Sequence, residues 1–130
     1  MSGFVIDALA GIFGSDVASD GDATTLTHRF GSEDFLRGHF PGFPVVPGVI
    51  LLDGMMLAAL HGLDDPAAVS VVAVDAVTFH RPVLPGREVR FTARVADRRD
   101  DEIALRCAVM VDGARHARAS MTFRLESTTS

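Results

Sequence analysis

Between Arg37 and Met56 the chain reads RGHFPGFPVVPGVILLDGMM, and after Arg37 a histidine, His39, and an aspartate, Asp53, stand alone among glycine, proline and apolar residues. Polar groups in such a setting need a reason. An ionised carboxylate beside Val49, Ile50, Leu51, Leu52, Met55, Met56 and Leu57 costs several kcal/mol unless it is paired or hydrogen-bonded, so a functional site is the simplest explanation. A neutral imidazole accepts a proton near physiological pH, and apolar surroundings favour the neutral form of a carboxylic acid. His39 and Asp53 are therefore suited to proton transfer. Pro41, Pro44 and Pro47 fix the backbone near φ of about −65° and hold the intervening loop extended, and Pro47 stands where a helix can begin.

The elements that must position this pair follow from periodicity. A helix is expected near residues 3–12, a strand over 23–29, and a long helix over 47–61 that is hydrophobic almost all round and so should be buried. The segment 70–79, with VVAVDAVTF at its centre, is apolar on both faces and reads as a central strand covered on both sides, or as a strip at a subunit junction. Further strands are expected over 88–97, 102–111 and 114–125, the last two joined by the turn residues Asp112 and Gly113. In the first of these, Val89, Phe91, Ala93 and Val95 alternate with Arg90, Thr92, Arg94 and Arg98. Arg106, Arg118 and Arg124 occupy the polar positions of the other two, which gives the sheet an arginine-rich outer face. One helix packed by an antiparallel sheet is an α+β fold.

Composition bounds the function. The 130 residues, 48% hydrophobic, suffice for one core, so a single domain over residues 1–126 is expected, with 127–130 as a disordered tail. The net charge of −5 speaks against nucleic acid, although all 12 basic residues are arginine and an acidic partner could meet a local patch. The lone cysteine, Cys107, rules out an internal disulfide and suits the reducing cytoplasm, and the N-terminal apolar stretch lacks the preceding basic residues of a secretory signal. The apolar run 49–63 is shorter than the roughly 20 residues of a membrane span and contains Asp53. His28, His61, His80 and His116 are too scattered for a metal site.

The block from His39 to Asp53, HFPGFPVVPGVILLD, resembles the signature of the 3-hydroxyacyl-acyl carrier protein dehydratases of the hot-dog fold. Upstream, SEDFLRGH over 32–39 resembles the family's NExFFxGH, and downstream FHRPVLPG over 79–86 resembles its F-x-R-P-V-x-P-G turn. The aspartate matches the dehydratase/isomerase branch, where the other branch carries glutamate. The resemblance implies a sheet wrapped around a central helix and loss of water from a (3R)-3-hydroxyacyl thioester to give a trans-2-enoyl thioester, in fatty-acid or specialised polyketide or polyene synthesis. His39 would take the C2 proton and Asp53 would hold the departing hydroxyl. The Gly48 amide at the helix N-terminus would bind the thioester oxygen, and the Val45 carbonyl would orient the histidine. Leu52, Met56, Phe79 and Phe91 would line the acyl tunnel.

The family further implies a homodimer in which each site takes its histidine from one protomer and its acid from the other, alone or within a higher oligomer. The substrate would arrive on the 4′-phosphopantetheine arm of an acidic acyl carrier protein, with Arg37 and Arg81 flanking the two matched motifs as docking residues, and no cofactor or metal is required. Two departures stand out: Leu57 replaces the glutamine usual four residues after the acid, and Gly54 replaces an alanine at a helix cost of roughly 0.5–1 kcal/mol unless a neighbour comes close there. A hot-dog thioesterase, releasing free acid, and a non-catalytic carrier-binding subunit are the competing readings.

Overall fold

The computed structural model describes residues 3–31 and 45–126. Helix α1 (Gly3–Phe13) is followed by strands β1 (Val17–Asp20) and β2 (Ala23–Arg29), helix α2 (Gly48–His61), a short 3₁₀ turn (Pro66–Ala68), and strands β3 (Val69–Phe79), β4 (Glu88–Arg99), β5 (Glu102–Val111) and β6 (Ala114–Leu125). His39 and Arg37 lie outside the described residues. The six strands form one antiparallel sheet in the order β1-β2-β4-β5-β6-β3. Helix α2 packs across β2, β4, β5 and β6, and α1 packs against α2. This is the α+β hot-dog arrangement that the motif implied.

Alternation sets the sheet's two faces. Leu26 on β2, Val89, Phe91 and Ala93 on β4, Ile103, Leu105, Cys107 and Val109 on β5, and Ala117, Ala119, Met121 and Phe123 on β6 are all buried against α2. The helix returns Leu51, Gly54, Met55, Leu57, Ala58, Ala59 and Leu60 to that core. Asp112 and Gly113 both take positive φ, 51° and 78°, the two-residue geometry whose twist matches a hairpin.

Two expectations from periodicity are corrected. Of the two readings of β3, the central strand is overturned: among the described residues it is an edge that pairs only with β6, and Val71, Val72, Val77 and Phe79 are exposed. Its double-sided apolar pattern therefore does not mark coverage by the described residues. Two bulges interrupt its register, at Val72 and at Ala76–Val77, and Ala76 carries φ 53°. Arg98, expected on the outer face, is moved to the core side of β4 because a bulge at Ala96 shifts the register, so that Arg98 pairs with the buried Ile103 and reaches Asp22 at 3.8 Å.

Candidate active site

Helix α2 begins one residue later than expected. Pro47 is its N-cap, at φ −59° and ψ 145°, and its carbonyl accepts from the Ile50 and Leu51 amides at 3.0 and 3.2 Å. The Gly48 and Val49 amides meet no acceptor among the described residues, so two N–H donors and the positive end of the helix dipole are presented together. The approach to them is fixed by two hydrogen bonds. The Val46 amide donates to the Val83 carbonyl at 2.8 Å, fastening the chain before α2 to the segment 80–86, and the Gly86 amide donates to the Phe30 carbonyl at 2.7 Å. The other side of that segment is held to β6, where the His116 carbonyl accepts from the His80 amide at 2.8 Å.

These ties shape a cleft of about 310 Å³ lined by Val45, Val46, Gly48, Leu51, Phe79, His80, Arg81, Pro82 and Val83. The Phe79 ring lies over Gly48 so closely that a Cβ there would fall 3.0 Å from its Cζ. Glycine at this position lets the ring approach this closely, and the ring forms an apolar wall beside the free amides. Gly48, Val45, Phe79 and Arg81 come together in this cleft. Sequence reasoning passed over His80, whose only signal was its place inside the FHRPVLPG motif.

Asp53 lies one and a half turns into α2 on the flank opposite the core. Val49, Leu52, Asp53 and Met56, at helical spacing, form a stripe that is exposed or half-buried, while Leu51, Met55 and Ala58 are buried. Partial removal from water raises the Asp53 carboxyl above the usual carboxylate range. No described group offers it a salt bridge or hydrogen bond that would oppose the shift. The arrangement sets a carboxyl in an apolar strip and shifts its balance toward the protonated form.

Phe91 is not part of the cleft. It is fully buried, its ring fills the space that a side chain at Gly54 would occupy, and it meets Phe13 edge-on at 5.4 Å and Phe30 at 6.3 Å. That packing explains Gly54. Leu57 is likewise wholly within the core, where an apolar side chain suits the site and a glutamine amide would need a partner.

A family model described as ApeI dehydratase matches residues 18–122. A 3-hydroxyacyl-[acyl-carrier-protein] dehydratase FabZ of Polynucleobacter asymbioticus is 33% identical over 109 residues, covering 80% of this chain and 73% of the relative. The FabZ of Streptococcus thermophilus is 30% identical over 114 residues, covering 84% and 81%. Among solved structures, the Escherichia coli PaaI protein of the phenylacetic acid degradation operon superposes with TM-score 0.76 at 19% identity, covering 93% of this chain and 90% of that one. The dehydratase heterocomplex ApeI:P of Xenorhabdus doucetiae gives TM-score 0.65 at 22% identity, covering 81% and 89%. These two structures speak for the fold alone. Among the described residues no helix is long and apolar enough to cross a membrane.

Proposed function

Because the chain belongs to the ApeI-like, FabZ-like hot-dog dehydratases, we propose that it removes water from (3R)-3-hydroxyacyl thioesters carried on acyl carrier protein and yields trans-2-enoyl thioesters. The observation that carries this reading is Asp53: a carboxyl inclined to keep its proton, in an apolar stripe of the same helix whose N-terminus offers unpaired amides. In the proposed reaction His39 removes a C2 proton while the thioester oxygen, gaining negative charge, is held by the Gly48 amide. The C2 electron pair then forms the double bond as the C3–O bond breaks, and Asp53 gives its proton to the departing hydroxyl, which leaves as water. Return of the proton from His39 to Asp53, directly or through solvent, resets the pair.

Around that step, the Val45 carbonyl orients the imidazole, and Leu52, Met56 and Phe79 supply apolar contact for the acyl chain. Arg81, at the cleft's rim, and Arg37 receive the acidic carrier protein. The exposed edge of β3 and the open stripe of α2 support a homodimer in which Asp53 of one protomer meets His39 of the other. A pairing with a second, non-identical hot-dog chain would use the same surfaces. The buried thiol of Cys107 fits the reducing cytoplasm.

Incubation with a 3-hydroxyacyl-acyl carrier protein followed by mass spectrometry of the carrier tests the reaction class. Loss of water with the thioester intact is the expected product. Free acid with bare carrier thiol would instead make the protein a thioesterase.

A further inference from the structure

The outer face of the sheet, turned away from α2, holds four guanidinium groups that the dehydration does not use. Arg94 on β4, Arg106 on β5, and Arg115 and Arg118 on β6 are all exposed and border one depression of about 510 Å³. Its lining also includes the small side chains of Ala76 and Ala108 and the hydroxyl residues Thr92 and Ser120. We propose that this depression is a binding site for a compact polyanion with clustered phosphate groups, a diphosphate or nucleoside diphosphate, gripped by Arg94, Arg106, Arg115 and Arg118.

Charge pairing is common among the other described arginines, although Arg29 and Arg81 have no ion pair among the described residues either. Arg87, Arg90, Arg98, Arg99 and Arg124 each have a carboxylate within 4.0 Å. None of the four in the depression has an ion pair among the described residues, although the chain carries 17 acidic residues against 12 arginines. Arg94 stands directly opposite Arg106 in the β4–β5 register, a like-charge pairing that destabilises a sheet. The nearest carboxylate along that row is Asp75, across β6 from Arg106 and opposite Ser120. A bound anion would relieve this repulsion.

Size selects the ligand. Arg94 and Arg106 face each other on neighbouring strands and Arg118 lies one strand farther and two residues along, a compact trio at a strand spacing of about 4.8 Å that matches two adjacent phosphates, while Arg115, opposite Met110, stands at the rim. Guanidinium forks grip phosphate oxygens in pairs, and the small floor at Ala108 leaves room for them. Occupancy should not require Asp53, because the depression lies on the face of the sheet opposite the helix.

Thermal unfolding of the full chain, titrated with inorganic pyrophosphate, orthophosphate, ADP or poly-glutamate at matched ionic strength, tests the site. Pyrophosphate should raise the melting temperature saturably and bind at least about tenfold more tightly than orthophosphate. Arg106→Gln with Arg118→Gln should abolish that shift while leaving the unliganded protein folded, and Arg106→Lys should weaken it. ADP binding more tightly than pyrophosphate would identify a nucleotide as the source, and binding no more tightly would identify the bare diphosphate. No shift beyond that of matched chloride, a shift unchanged in the arginine variants, or a response to poly-glutamate alone would overturn the proposal.

Discussion

Replacing Gly54 by alanine should destabilise the protein, although alanine is the better helix former by about 0.8–1.0 kcal/mol. A methyl group at this position would fall 2.5 Å from Cζ and 2.6 Å from Cδ1 of Phe91, far inside van der Waals contact. The ring cannot simply swing away: it is fully buried and meets Phe13 and Phe30 edge-on. Overpacking of this kind costs typically about 1–3 kcal/mol, and the clash here lies at the severe end. After the propensity gain is subtracted, a net loss of about 1–2 kcal/mol remains, or about 4–8 °C in melting temperature for a chain of this size. Chemical denaturation followed by circular dichroism measures it. Phe91→Leu alone should also destabilise, but the double variant should lose less than the sum of the two, since a smaller side chain makes room for the methyl. A Gly54→Ala protein as stable as wild type, or more so, would refute the packing argument.

Other predictions follow the same physics. Asp53→Asn should fold with stability equal to or above wild type at pH 7. The native carboxyl holds its proton more tightly than the unfolded one, so the native state is relatively disfavoured as pH rises through the carboxylate range, and the gap should close below about pH 3.9; a marked loss of stability near neutrality would mean that the carboxylate is paired. The Cys107 thiol, buried and pushed up to about 12, should resist a disulfide reagent at pH 8 until denaturant unfolds the sheet, and rapid labelling of the native protein would contradict its placement. Charging the exposed edge with Val72→Glu and Val77→Glu should convert the proposed dimer to a folded monomer by light scattering, and a variant that remains dimeric would place the interface elsewhere.

Much of the architecture is legible in the chain because its signals are local. Strands β5 and β6 fall on their expected residues since each alternates and the two meet at the turn residues Asp112 and Gly113, and α2 is announced by Pro47 and by its apolar run. The failures are non-local. Strand β1 went unseen because Val17–Asp20 has one half-buried residue and no alternation. The apolar faces of β3 suggested a central strand, but a pattern records what a strand will bury and not which neighbour buries it. The bulge at Ala96 moved Arg98, still exposed, into the core-side row with no glycine or proline to mark it. At the site, the free amides of α2 follow from Pro47. The seat of Phe79 over Gly48, the entry of His80 into the cleft and the reason for Gly54 depend on contacts across 31 to 37 residues of sequence, which periodicity cannot report.

The most direct test compares wild type, His39→Ala and Asp53→Asn, each shown to be folded, for water loss from a 3-hydroxyacyl-acyl carrier protein. The account predicts enoyl thioester from wild type and a fall of about 10²-fold or more in both variants, the scale of a lost acid or base. Undiminished dehydration by Asp53→Asn would contradict it.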